Sequence, residues 1–302
     1  MITETFRRNV TGAWGEAGSR WLDELPTAIE AVARDWGLTV GAPFDLTFHY
    51  VAPAVTAAGD PVVLKLGVPQ ADSITEESRA LAAFGGRGAV HLLRLEPQRG
   101  ALLIERADPG VRARDVPEAE ALAAVVSVMR ELHVPGDALP DVAGQARAFD
   151  AHLERFPGDG PLPRAFVATA AGLMRELSAS APQRVLLHGD LHHDNVLSAR
   201  RAPWLAIDPH GVSGDAGYEI GSWLFNPEPG DRDPALLALV PARLERFAAA
   251  LGQPLERLAA WGFVKAVLSD VWTAESWNPG DTWSPASRAL DVATLLHRRF
   301  RL

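Results

Sequence analysis

VLLHGDLHHDNVLSARRAPWLAIDPHG, residues 185–211, reads as strand, loop, strand, turn, strand and acidic residue. The strands are expected at Val185–Leu187, Val196–Ser198 and Trp204–Ile207. Asp190 and Asn195 fall on the loop between the first two, and Asp208 stands at the end of the third. A hard divalent cation takes carboxylate and amide oxygens, so this set suits Mg²⁺. Asn195 and Asp208 then serve as the metal ligands, and Asp190 can be the carboxylate that faces an acceptor hydroxyl. A competing reading gathers His188, His192 and His193 with Asp190 and Asp194 as a zinc site of hydrolase type. Against it, the spacing lacks the helical H-E-x-x-H form.

Upstream of this stretch the pattern is β-rich. Leu46–Val51 and Val62–Leu66 carry β-branched and aromatic residues, and TAAGDP (Thr56–Pro61) separates them, which predicts a hairpin. Residues 73–84 read as a helix with Ser73 and Glu76 at capping-box spacing and Gly85-Gly86 as its stop. Two more strands are expected at Val90–Leu95 and Ala101–Glu105. An earlier helix is predicted over 26–36, with Pro26 in its first turn, Ile29, Val32, Ala33 and Trp36 on one face, and Gly37 after it.

After ADPG (Ala107–Gly110) helical periodicity takes over, at 117–132, 142–156, 163–178, 215–225, 233–251, 255–277 and 285–299. A β-rich segment followed by a helical one predicts an α+β bilobal architecture, residues 1–106 as the β-rich lobe and 107–302 as the helical lobe.

The composition narrows the function classes. Hydrophobic residues are 47% and charged residues 22%, values of a globular chain. There is no cysteine, which excludes disulfides, thiolate metal sites and a Cys nucleophile. With 29 Lys and Arg against 38 Asp and Glu, the net charge is −9. An acidic chain with no basic tract is a poor partner for nucleic acid, and the same charge favours a cationic small molecule. The opening MITETFRRNVTGAWGEAG has no apolar core of the signal-peptide kind, and no stretch is long and apolar enough to span a bilayer, so a cytoplasmic location is expected.

His-Gly-Asp, four residues, Asn, then Asp after a strand resembles the catalytic and metal-binding segments of the aminoglycoside phosphotransferase and protein-kinase-like superfamily. Gly189 and the Asp208-Pro209 pair point to its antibiotic-kinase branch. YVAPAV (50–55), VVLKLG (62–67), RGAVHLL (87–93), ALLIER (101–106), HGDLHHDNVL (188–197), IDPHGVSGDAGYEIG (207–221) and WLFNP (223–227) are similar to the aminoglycoside/hydroxyurea antibiotic resistance kinases, the group that includes streptomycin phosphotransferases.

The resemblance implies a protein-kinase-like fold and an ATP- and Mg²⁺-dependent phosphotransferase. It implies that Lys65, by itself an ordinary strand lysine, contacts the α- and β-phosphates and pairs with a helix glutamate. Helix geometry selects Glu77 over Glu76, because Glu77 shares a face with Ile74, Leu81 and Phe84. Backbone atoms near Glu105 and Ala107 are implied to meet the adenine edge. His188 is implied to support the metal-binding loop, and Asp215 and Glu219 to brace the loop through its backbone N–H groups. HYVAPAVTAAGD (49–60) lacks the G-x-G-x-x-G of protein kinases, so small residues such as Ala52 and Ala54 must cover the phosphates. Asp270, Thr273 and Trp277 fall on one predicted helix face, where a carboxylate beside an indole suits a guanidinium of a streptomycin-type acceptor.

Overall fold

A computed structural model describes residues 2–69, 71–158, 160–228 and 230–302. In chain order the elements are α1 (Glu4–Trp36), β1 (Leu38–Val40), β2 (Tyr50–Thr56), β3 (Pro61–Leu66), α2 (Asp72–Phe84), β4 (Leu92–Glu96), β5 (Ala101–Glu105) and β6 (Pro109–Arg112). There follow α3 (Glu118–Leu132), α4 (Ala146–Arg155), α5 (Arg164–Ala179), β7 (Arg184–Leu187), β8 (Val196–Ala199), β9 (Trp204–Ala206) and β10 (Val212–Asp215). The chain ends with α6 (Gly221–Phe225), α7 (Pro234–Ala238), α8 (Val240–Leu251), α9 (Leu255–Ala274) and α10 (Arg288–Phe300).

The fold is α+β, and the chain divides into two compact units. The first runs to Gly110 and takes in Ser198–His210; the second comprises Val111–Leu197 and Gly211–Leu302. Where the sequence predicts one crossing near residue 106, the chain therefore passes between units three times. The cause is local. The Ala206 N–H donates to the Gly88 carbonyl at 2.7 Å, and the Val90 N–H donates to the Ala206 carbonyl at 3.0 Å. These two bonds tie the strand that leads to Asp208 onto the first unit.

The first unit is an antiparallel sheet in the order β1-β2-β3-β5-β4. Val51 faces Lys65 across β2–β3, and Lys65 faces Leu102 across β3–β5. β3 is buried along nearly its whole length, the signature of a central strand covered on both faces. The long helix α1 covers one face, burying Phe6, Val10, Trp21, Leu22 and Leu25 in one cluster with Tyr50, Ala52, Leu64 and Leu66. Only its last third was expected. The earlier part lies in a polar, glycine-bearing stretch, and the helix breaks at Gly15, whose φ is 53°. Gly18 is required by close approach: a Cβ there would stand 2.5 Å from the Val10 carbonyl oxygen.

Two other expectations shift. The hairpin strand β2 begins at Tyr50, so Leu46–His49 is irregular. The capping box at Ser73 does not form: Ala71 is the N-cap, without a side-chain bond, and the Ser73 hydroxyl instead pairs with His49 Nε2 at 2.9 Å. The strands β1, β6 and β10 were not anticipated, being three or four residues long.

The second unit is built around α9. Fourteen of its 20 residues are buried on every side of the helix, which marks a central core helix rather than an amphipathic surface one. It packs against α4, α5, α6, α8 and α10. β7 and β10 form a short antiparallel pair, with Leu187 facing Val212, and deliver the chain into the loop that starts at His188.

Candidate active site

The first unit gathers three charges. Lys65 projects from β3 and its ammonium lies 2.6 Å from Glu77 Oε2 and 2.6 Å from Asp208 Oδ1. Glu77 sits on the inward face of α2 with Ile74, Leu81 and Phe84, all buried, while Glu76 is exposed. Lys65 and Glu77 keep 5% and 4% of their side chains exposed, whereas Asp208 keeps 56%. The carboxylate that remains open to solvent is thus the one suited to a cation. Asp208 adopts a φ of 58°, a left-handed conformation that an Asp tolerates and a β-branched residue would not.

The electrostatics follow from this packing. Burial works against the Lys65 ammonium, but the Asp208 and Glu77 carboxylates outweigh it and raise its pKa. Burial pushes the Glu77 carboxyl up to about 7 although Lys65 opposes the shift, and one of its oxygens, Oε1, has no hydrogen-bond partner among the described residues. Lys65 holds the Asp208 carboxyl well below the usual range. His49, beside the cluster, is lowered to about 4 by burial and by the Lys65 charge.

Glu105 ends β5. Its N–H donates to the His91 carbonyl, and its side chain accepts from the His91 N–H and from Arg201. Its carboxylate is committed within the protein, which leaves a role at this position to the backbone; Ala107 follows two residues later.

The second unit holds the loop. The buried Glu219 carboxylate accepts the His188 N–H at 2.6 Å and the Gly189 N–H at 2.9 Å. Burial alone would raise its pKa, but His133 and the His188 N–H bring it below the ordinary glutamate value. His188 is fully buried, and its Nδ1 accepts the Asp190 N–H at 3.2 Å. Asp190 Oδ1 accepts from the Ser222 hydroxyl at 2.9 Å, and 29% of its side chain stays exposed. Asn195 Nδ2 donates to the Asp190 carbonyl at 3.0 Å, so its Oδ1 is the atom available as a ligand.

Asp215 behaves otherwise than expected. It accepts from Gly217 N–H at 2.7 Å and from Arg257 Nε at 2.8 Å, capping the turn before α6 and anchoring α9. Its carboxylate is taken up there, and Glu219, with the longer side chain, braces the loop.

The acceptor residues read from the sequence do not form one helix face. α9 stops at Ala274, so Trp277 lies beyond it. The Trp277 indole donates to the Trp283 carbonyl at 3.0 Å and packs on Phe156. Asp270 is buried and accepts the Ser287 N–H at 3.1 Å and the Ser287 hydroxyl at 2.7 Å, which fixes the start of α10. The Thr273 hydroxyl donates back to the Ser269 carbonyl. Ser222 was missed; only its place one turn after Glu219 could have signalled it.

For zinc the donors do not converge. Among the described residues no group of three His, Cys, Asp or Glu side chains has metal-holding geometry. His193 is instead stacked 3.7 Å from Trp223 and meets Arg243 at 3.3 Å. The oxygens of Asn195 and Asp208 fit a hard cation such as Mg²⁺ in kind.

The fold is shared with small-molecule kinases. A choline/ethanolamine kinase family protein from Mesorhizobium loti superposes with a TM-score of 0.62, at 16% identity and 93% coverage of both chains. An aminoglycoside phosphotransferase captured with ADP and hygromycin B gives 0.59, at 17% identity, over 90% of this chain and 96% of that one. A family model, aminoglycoside/hydroxyurea antibiotic resistance kinase, matches residues 40–276. Streptomycin 6-kinase of Streptomyces glaucescens is 30% identical, with 97% of this chain and 94% of the relative covered. Hydroxyurea phosphotransferase of Kitasatospora aureofaciens is 34% identical, over 94% and 82%. The chain belongs to the aminoglycoside/hydroxyurea antibiotic resistance kinase family.

Proposed function

We propose that this chain transfers the γ-phosphate of ATP to a hydroxyl of a streptomycin-type aminoglycoside. The observation that carries phosphotransfer is the Lys65–Glu77–Asp208 cluster, with Lys65 held charged and Asp208 open to solvent. Mg²⁺, held by Asn195 Oδ1 and Asp208, would neutralise charge on the phosphates. Lys65, steadied by Glu77, meets the donor phosphates, and the backbone near Glu105 and Ala107 meets the adenine. Asp190, held by Ser222, receives the proton of the acceptor hydroxyl. Little covalent work falls to the protein; positioning and charge do the rest.

The acceptor class is supported by two streptomycin 6-kinases at 30% identity and by the net charge of −9, which attracts a polycation. Hydroxyurea is the second reading, supported by the relative at 34% identity. ATP consumption measured with streptomycin, other aminoglycosides and hydroxyurea tests both. Streptomycin is expected to be phosphorylated with the highest kcat/KM, and turnover of hydroxyurea alone would replace the first reading by the second. Asp190→Ala should lower kcat by about 10²–10⁴-fold with nucleotide binding retained. Wild-type turnover in that variant would remove Asp190 from the chemistry.

A further inference from the structure

Behind the loop lies a buried charge that the chemistry above does not use. Lys265, in the middle of α9, is 2% exposed. Its ammonium donates to the Gly189 carbonyl at 2.7 Å and to the Tyr218 hydroxyl at 2.9 Å. It also lies 4.7 Å from the Tyr218 ring centroid and 4.9 Å from that of Trp272. Among the described residues no carboxylate pairs with it. An ammonium buried without a counter-charge is costly, and the other buried residues of α9 are apolar apart from Gly262 and Asp270, which is committed to Ser287. A methionine would fill the same space.

The fold also makes room for it. A Cβ on Gly221 would stand 2.3 Å from Lys265 Cβ and 2.6 Å from its Cγ, so the glycine keeps open the path of the lysine stem. What the stem delivers is a clamp on one peptide unit. The carbonyl of the Gly189–Asp190 peptide accepts from Lys265, and the N–H of the same peptide donates to His188 Nδ1. Gly189 has a φ of 86°, the freest kind of backbone, directly before the carboxylate that faces the acceptor. Without a grip on its carbonyl, this peptide plane would turn and carry Asp190 with it.

We infer that Lys265 is a positioning residue for phosphotransfer, which fixes the Gly189–Asp190 peptide plane and so the aim of the Asp190 carboxylate. This rests on the reading of Asp190 given under the proposed function. The test is Lys265→Met, which keeps the bulk and removes the ammonium. A misaim of the order of an ångström costs about 10²-fold, so kcat should fall about 10–100-fold. KM for ATP and for the acceptor should stay within about twofold, and kcat is read per folded molecule, because the stability gained by removing a buried charge is offset by the Gly189 carbonyl and Tyr218 hydroxyl that lose their donor. A merely structural lysine leaves kcat per folded molecule unchanged, and that result overturns the inference. If Lys265→Met does not fold, Tyr218→Phe decides. It keeps the ammonium but removes one of its two oxygens, so kcat should fall several-fold at constant KM, and wild-type kcat in this soluble variant overturns the inference. A wild-type protein that phosphorylates none of the acceptors overturns the proposed function and this inference with it, whereas an active wild type with an unaffected Lys265→Met overturns this inference alone.

Discussion

Replacing Lys65 by methionine removes the one cation that pairs with Glu77 among the described residues and leaves two carboxylates behind. Their fates differ by exposure. Asp208, 56% exposed, keeps its water and adds no more than about 1 kcal/mol. Glu77, 4% exposed and already without a partner at Oε1 among the described residues, bears the rest. Stranding one member of a buried pair costs about 3–5 kcal/mol, so Lys65→Met should lose about that much at pH ~8. Glu77→Gln in the same background should recover about 2–3 kcal/mol of it, because no charge then remains to be buried. The penalty is also pH-dependent. The folded-state pKa of Glu77 stands at about 7, above its unfolded value of 4.5, and rises further when Lys65 is gone. As pH falls, the folded protein therefore takes up the proton first. The destabilisation is full above the folded pKa and is relieved as pH falls towards the unfolded one. Urea unfolding of both single variants and the double, at pH ~8 and pH ~5.5, reads all of this. A cost below about 1 kcal/mol at both pH values, or strict additivity in the double variant, would refute the buried-pair reasoning.

His49 supplies a second pH signature of opposite direction. Its folded pKa of about 4 lies below the unfolded 6.5, so the unfolded chain binds the proton first. Stability from this group is intact above pH 6.5 and declines by up to about 3 kcal/mol as pH falls to about 4. His49→Gln should flatten that part of a melting-temperature profile, and an unchanged profile would contradict the assignment. Asp270→Ala should cost about 2–3 kcal/mol through its two bonds to Ser287, with the acceptor KM unchanged. A raised KM at constant stability would return Asp270 to the acceptor pocket.

The loop at 188–195 and its flanking strands were legible because short β-branched runs bracket residues of fixed chemistry. Glu77 was legible because helix spacing places it with Ile74, Leu81 and Phe84, whose burial decides the face. What stayed hidden depends on partners far along the chain. Asp270 looked like a ligand for a guanidinium, but the serine that claims it lies 17 positions later. Asp215 and Glu219 are both acids near a helix start, and what draws Asp215 away includes Arg257, 42 positions on. Lys265 and Ser222 carry no local signal, since their roles exist only once α9 and α6 stand behind the loop. The first two-thirds of α1 escaped for a different reason: its glycines and polar residues mask an inward face whose buried sheet partners come from residue 50 onward.

The first unit includes Ser198–His210, which follow the second unit's opening helices in the sequence. A ribosome finishing residue 110 has therefore not yet made the strand that binds Gly88 and Val90, nor the aspartate that pairs with Lys65. At about 5–20 residues per second, the missing piece arrives about 5–20 s later. Throughout that interval the nascent sheet carries a buried lysine and glutamate without their third charge. Any fragment cut at the visible boundary would remain in that unfinished state, so the smallest piece able to complete the first unit extends to His210.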